Sequence, residues 1–235
     1  MKTSIKIMCA ILALVCISTC FIGCVSKKEK AKIAETIAAA EAASVEDIGK
    51  YVNSLEAKHF KKSDSQTNYV MLEIEGFGDI VVALRPDTAP ISVENFKKLV
   101  SEGFYNGLIF HRVIKNFMIQ GGGYTSTFGK TSAPTIKGEF NSNGVENKLL
   151  HLRGVLSMAR TSVPDSATSQ FFIMHADSPH LDGEYAAFGY VIAGLDVVDM
   201  IANVRTGVNY QMYATDWPLE TVMIKSAYFV SPIVE

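Results

Sequence analysis

Residues 110–123, FHRVIKNFMIQGGG, constrain the fold more than any other stretch of this chain. They read as two short strands joined by a tight turn at Lys115 and Asn116 and stopped by the glycine run. Side chains alternate across a strand, which places Met118 and Gln120 on one face and Phe117 and Ile119 on the other. Arg112 and Gln120 are costly inside apolar strands unless they find partners. They are therefore either satisfied structural polars or parts of a site. A second strand over residues 169–174 has the same character: Gln170, Phe172 and Met174 fall on one face, Phe171 and Ile173 on the other. Amide and apolar groups on one side, beside a guanidinium, are the usual lining of a ligand pocket. No nucleophile accompanies them.

Length and composition narrow the choices. At 235 residues the chain suits one domain plus extensions and can bury a full core. A formal charge of -2 lacks the basic excess that nucleic-acid binding favours. The cysteines are Cys9, Cys16, Cys20 and Cys24, with none beyond, so the folded part holds neither a disulfide framework nor a cysteine-zinc site. His151, His175 and His180 lack the paired short spacings of zinc ligands, so neither a metal nor a cofactor is expected. Gly123 and Gly129-Lys130-Thr131 nearly spell a P-loop, but five residues separate the glycines where the motif needs about four.

The N-terminus is of a different kind. Residues 1–6 carry two lysines and residues 7–22 are apolar and uncharged, the pattern of a signal peptide. The run is short of the roughly 20 residues that span a bilayer, which leaves a transmembrane anchor as the weaker alternative. Phe21-Ile22-Gly23-Cys24 resembles a bacterial lipobox, with phenylalanine where leucine is commonest. In such precursors the cysteine is lipidated and becomes the new N-terminus, and several acyl chains hold a protein stably on a membrane. Cys24 is the expected anchor. Residues 26–66 are rich in helix formers. Ser44-Val45-Glu46-Asp47 has capping-box form, followed by Val45, Ile48, Val52 and Leu55 at helical spacing. This segment is a helical stalk, a weak coiled-coil seam, a partner-docking arm or a solvated spacer, and polar residues 58–66 read as a hinge. The expected division is residues 1–23 signal peptide, 24–66 lipid-anchored and largely helical linker, and 67–235 folded domain.

Within that domain, residues 69–75 and 79–84 alternate as strands across a glycine turn. Pro90 opens a helix whose apolar face is Val93, Phe96, Leu99 and Val100, and Gly103 stops it. Residues 187–192 form another strand, Leu195, Val198 and Ile201 mark a second helix, and residues 218–230 supply a closing strand. Periodicity alone gives a mostly β domain with two helices.

Three blocks carry a resemblance: FHRVIKNFMIQGG at 110–122, GVLSMAR at 154–160 and SQFFIMHADSPHLDGEYAAFG at 169–189. In this order they resemble the sequence blocks of cyclophilin-type peptidyl-prolyl cis-trans isomerases, over a match running from about residue 69 to the C-terminus. The resemblance implies a closed eight-stranded antiparallel β-barrel capped by two α-helices. It also implies non-covalent isomerisation of X-Pro bonds with Arg112 and Gln120 as catalytic residues. Phe117, Met118, Phe172 and Leu181 would seat the proline ring, with Tyr185 and His180 at the rim. Gln170 and the backbone of Ala159, Arg160 and Thr161 would hold the peptide. Arg160 stands where many relatives have asparagine, Tyr185 where the best-known eukaryotic members have histidine, and His180 where they have tryptophan. The expected partners are proline-containing polypeptides and, through Cys24, a membrane; no nucleic acid is expected, and the protein is expected to be a monomer. The implied location is the bacterial cell envelope, extracytoplasmic, with Val25 favouring the outer membrane. The alternative function is a proline-peptide-binding module or chaperone without turnover. A hydrolase has no G-x-S-x-G elbow or HExxH helix to rest on.

Overall fold

The computed structural model describes residues 25–234, so the expected signal peptide and Cys24 lie outside the described residues. Helix α1 (Lys27–Ala42) starts at Ser26, whose hydroxyl accepts the Glu29 N–H at 3.2 Å. Strand β1 (Phe60–Lys62) follows two short 3-10 turns. Strands β2 (Tyr69–Ile74) and β3 (Gly78–Leu84) form the expected hairpin, and helix α2 (Pro90–Ser101) leads to β4 (Leu108–Ile114) and β5 (Met118–Thr125). Next come β6 (Val155–Met158), β7 (Phe171–Met174), β8 (Ala187–Ala193) and helix α3 (Leu195–Ala202). A small ribbon, β9 (Thr206–Asn209) with β10 (Ala214–Pro218), precedes β11 (Ile224–Pro232).

Nine strands pair antiparallel in the order β1-β11-β2-β3-β8-β6-β7-β5-β4. The ladder has two ends, so the pairing does not draw the closed eight-stranded barrel of the expectation. At the seam, Gly107 N–H donates to the Ile224 carbonyl at 2.8 Å and Phe110 N–H to that of Val222 at 2.9 Å, around a single bridge between Ile109 and Met223. The sheet wraps an aromatic interior in which Phe96 packs against Tyr105, Phe171 and Phe188. Helix α2 contributes Val93, Phe96, Leu99 and Val100 to that interior, as its spacing requires. Its N-terminus has no local side-chain cap. Buried Glu139 supplies one from a distance, accepting from Ile91 N–H at 2.9 Å and from Ser92 N–H and Oγ at 2.7 Å. A carboxylate there also opposes the positive end of the helix dipole.

The sheet's outer face buries a second apolar layer, and here the N-terminal segment departs from a solvated spacer. Ile33, Ile37 and Ile48 pack into a cluster with Phe60, Tyr69, Met71 and Val230. Glu41 accepts the Tyr69 hydroxyl at 2.8 Å, and the Asn53 and Leu55 amides donate to Val191 and Ile192 carbonyls at 3.0 and 3.1 Å. The segment is an arm bound to the sheet. Its long helix lies at 27–42 rather than after Ser44. Ser44 makes no cap to the backbone and opens only the 3-10 turn Val45–Lys50, its hydroxyl bonding Asp47 instead. The expected hinge carries β1, paired with β11. The closing strand also begins later than expected, at Ile224, because residues up to Pro218 belong to the β9–β10 ribbon.

Candidate active site

The geometry of the site starts from a defect in the β4–β5 ladder. Phe110 faces Gly121 and Arg112 faces Gln120, so two steps on β4 match one on β5 and His111 is the extra residue. A one-residue bulge moves every later side chain to the opposite face. Phe110 lies in the interior cluster, and by simple alternation Arg112 would follow it there. The bulge turns Arg112 outward while Val113 takes the interior place.

Arg112 then begins a row across the sheet. It pairs with Gln120 on β5, Gln120 with Phe172 on β7, and Phe172 with Ser157 on β6. Phe171 and Ile173 point into the interior and Phe172 and Met174 out of it, as the alternation predicts. The glycine run does not stop β5, which continues to Thr125. Its glycines give close approach instead. A Cβ on Gly123 would sit 2.5 Å from Gln170 Nε2, and one on Gly122, whose φ is +82°, would sit 2.7 Å from the Ser169 carbonyl oxygen.

Arg112, Phe117, Met118, Gln120, Ala159, Arg160, Phe172, Leu181 and Tyr185 line one open pocket of about 110 Å³. That is well under the roughly 300–1,000 Å³ typical of small-molecule pockets, room for one small group beside its apolar floor. Met118, Phe172 and Leu181 are buried and form its floor. Phe117 belongs to the turn before β5, so alternation does not govern it, and it joins Met118 at the pocket instead of pointing away. His180 stacks on Phe117 with centroids 5.7 Å apart.

The polar groups form a directed chain. Gln120 Nε2 donates to Gln170 Oε1 at 2.8 Å, which leaves Gln120 Oε1 to accept from Arg112 Nη1 at 3.4 Å. Gln170 therefore stands behind Gln120 and does not itself line the pocket. Asp216, on β10, lies 3.6 Å from Arg112 Nε, and both side chains are more than a third exposed. An exposed pair of this kind is worth about 0–1 kcal/mol, so it holds the guanidinium near the pocket without locking it.

Thr161 stands apart. It is exposed and outside the pocket, its N–H donates to Ser166 Oγ at 3.0 Å, and its carbonyl accepts Arg160 Nη1 at 2.9 Å. Ala159 N–H is likewise taken, by the Gln170 carbonyl at 2.9 Å. Behind the floor runs a chain that the sequence did not announce. Asp182 Oδ1 meets His151 Nδ1 at 3.0 Å, and His151 Nε2 meets Ser157 Oγ at 3.0 Å. His151 and Ser157 are buried, so this serine-histidine-aspartate array has no access to a substrate. The His151 ring stacks against Phe172, and burial pushes its imidazole down from the usual histidine range. No group of three or more metal-ligating side chains occurs among the described residues.

The family model for cyclophilin type peptidyl-prolyl cis-trans isomerases matches residues 69–229. The chain belongs to that family. A peptidyl-prolyl cis-trans isomerase of Acinetobacter baylyi is 50% identical over 166 residues, 66% of this chain and 86% of that protein. Isomerase B of Escherichia coli is 46% identical over 63% of this chain and 92% of its own length. A cyclophilin of Cryptosporidium parvum, crystallised in the presence of the dipeptide Ala-Pro, superposes with a TM-score of 0.60 at 30% identity, covering 69% of this chain and 99% of that one.

Proposed function

We propose that this cyclophilin accelerates X-Pro bond rotation in extracytoplasmic polypeptides, with Arg112 as the catalytic cation. Uncatalysed rotation takes tens to hundreds of seconds, because it breaks amide resonance behind a barrier of roughly 18–20 kcal/mol. Each reduction of about 1.36 kcal/mol gives tenfold in rate. Family membership, and the Ala-Pro dipeptide with the structural relative, support proline as the group that enters the pocket. The single observation that carries the mechanism is the placement of Arg112 and Gln120 on the wall of a pocket whose floor is the apolar trio Met118, Phe172 and Leu181.

The ring of a bound proline is seated by Phe117, Met118, Phe172 and Leu181, with Tyr185 as a side wall. Ala159 carbonyl and Arg160 N–H, which make no hydrogen bond among the described residues, are open to pair with the peptide backbone. As the X-Pro bond twists, the prolyl nitrogen becomes pyramidal and gains a lone pair. The Arg112 guanidinium donates to it, and the Gln170–Gln120 chain fixes the direction of that donor. The interaction strengthens as the bond leaves planarity, so it lowers the barrier rather than merely tightening binding. Turnover needs this cation, whereas a proline-peptide reader or chaperone would need only the apolar seat.

Arg112→Ala is expected to fold, to bind proline peptides, and to lose about 10²–10³ in kcat/KM, the usual cost of one preorganised donor. A coupled prolyl-peptide assay measures this, and wild-type rates in the variant would remove Arg112 from the mechanism. The eight strands from β11 round to β4 are read as the family's barrel, its seam held by the bonds at residues 107–110. The reading also places the protein on the cell envelope, monomeric and anchored through lipidated Cys24, with the outer membrane favoured. Among the described residues no helix is long and apolar enough to cross a membrane. Mass analysis of the native N-terminal peptide tests the anchor: an unmodified Cys24 would exclude it.

A further inference from the structure

The mouth of the pocket contains a second guanidinium that the mechanism above leaves without a task. The Arg160 guanidinium lies over two aromatic rings, 4.8 Å from the centroid of Phe140 and 4.7 Å from that of Tyr185. Its Nε and Nη2 donate to the Glu184 carbonyl at 3.0 and 2.9 Å, and its Nη1 donates to the Thr161 carbonyl at 2.9 Å. The Glu184 carboxylate approaches Nη2 at 3.7 Å while accepting the Ser142 hydroxyl at 2.8 Å. The side chain is only 13% exposed, although it lies at the rim of an open pocket. Every guanidinium nitrogen is thus engaged by the protein, and the adjacent carboxylate offsets the charge. Such a group is badly placed to attract substrate charge and well placed to hold two segments together.

Those segments both belong to the pocket. One is the stretch just after β6, where Ala159 and Arg160 offer the backbone groups left for a peptide; the other is the loop carrying Leu181 and Tyr185. No strand ladder joins Glu184 and Tyr185 to residues 159–161, since β6 ends at Met158 and β8 begins at Ala187. Arg160 bridges the gap. We propose that Arg160 is a positioning residue that clamps the Glu184–Tyr185 loop to the peptide-pairing segment, fixing Tyr185 as a wall of the proline pocket and so setting affinity for the substrate. This rests on the assignment of the pocket to proline made above. A planar fork with two directed bonds to one carbonyl, set over two aromatic rings, is a task lysine cannot perform, because an ammonium is a point charge without the flat face or the fork.

The test uses Arg160→Ala and Arg160→Lys in the prolyl-peptide assay, with Ala-Pro dipeptide binding followed by NMR titration. Both variants are expected to raise KM and the dipeptide Kd by about tenfold, the cost of lost preorganisation, with kcat within about twofold because Arg112 and Gln120 are untouched. In a Tyr185→Leu background the Arg160→Ala change is expected to add little, since the clamp then has no wall to hold. Rescue by lysine would mean that charge is what matters and would overturn the clamp. A fall in kcat at constant KM, unchanged parameters, or full additivity with Tyr185→Leu would overturn it as well. Should the unaltered protein bind the dipeptide without catalysing rotation, the isomerase reading fails, while the dipeptide Kd of each variant still decides the role of Arg160.

Discussion

Replacing Ile33 by alanine asks whether the N-terminal arm is part of the folded domain. Ile33 is 1% exposed and packs into the outer apolar layer that includes Phe60, Tyr69, Met71 and Val230. The substitution removes three carbon groups at about 0.8 kcal/mol each, or about 2.4 kcal/mol of transfer free energy. A residual cavity adds to this, so the expected loss is about 3 kcal/mol, inside the ~2–5 kcal/mol range for buried isoleucine. For a domain of this size each kcal/mol moves the midpoint by roughly 2–4 °C, giving a fall of about 6–12 °C. Thermal unfolding followed by both far-UV circular dichroism and intrinsic fluorescence measures it, with exposed Lys32→Arg, neutral in helix propensity, as the control. The two probes should fall together, because the arm and the sheet share one apolar layer. If Ile33→Ala melts within about 1 °C of the parent, as the control should, α1 contributes nothing and the arm is a tether after all. A fall of the expected size means that a fragment beginning at residue 67 would expose Tyr69, Met71 and Val230 to water and should not serve as the minimal enzyme.

Two further outcomes test the site's surroundings. His111 is buried between Tyr124 and Trp217, at centroid distances of 4.7 and 5.9 Å, and burial pushes its imidazole down to about 4. The unfolded chain therefore binds this proton first. The stability gained by keeping the ring neutral is complete above an ordinary histidine pKa of about 6.5, drains as pH falls from there toward 4, and amounts to about 3 kcal/mol. Urea unfolding at pH 7 and pH 4 should show that loss in the parent and a shallower slope in His111→Gln; equal slopes would refute it. Gln170→Leu should lower kcat by freeing the Gln120 amide to rotate away from Arg112, whereas Gln170→Glu keeps the acceptor for Gln120 Nε2 and should retain more activity. Equal losses in both would show that the chain orients nothing.

What could be read directly from the residues was what depends on local period. The outward Phe172 and Met174 and the inward Phe171 and Ile173 follow from alternation alone, as the α2 face follows from Val93, Phe96, Leu99 and Val100. Apart from Phe117, misplaced by its own turn, the failures share a cause, which is that the deciding partner is distant in sequence. The three glycines at 121–123 look like a terminator, but their purpose is visible only when Phe110, Tyr105, Ser169 and Gln170 are seen pressing on them. Ser44 looks like a helix start, yet the arm's long helix forms earlier, where Ile33, Ile37 and Ala40 can be buried on the sheet. Glu139 as the cap of α2, and Asp216 beside Arg112, have no local signature at all.

The bulge at His111 shows where a resemblance and a periodicity part company. Alternation applied to residues 110–114 sends Phe110, Arg112 and Ile114 to one face, and a guanidinium would then enter an interior lined by Phe96, Phe171 and Phe188. Burying that charge unpaired would cost several kcal/mol, more than a ladder defect does. The chain avoids it by spending one residue on the defect. That residue is a histidine whose ring lies under Tyr124 and Trp217, with Nδ1 lacking any partner among the described residues. The same device that places Arg112 on the pocket wall therefore leaves His111 buried and neutral. The face on which Arg112 sits and the burial of His111 come from a single extra residue in one strand.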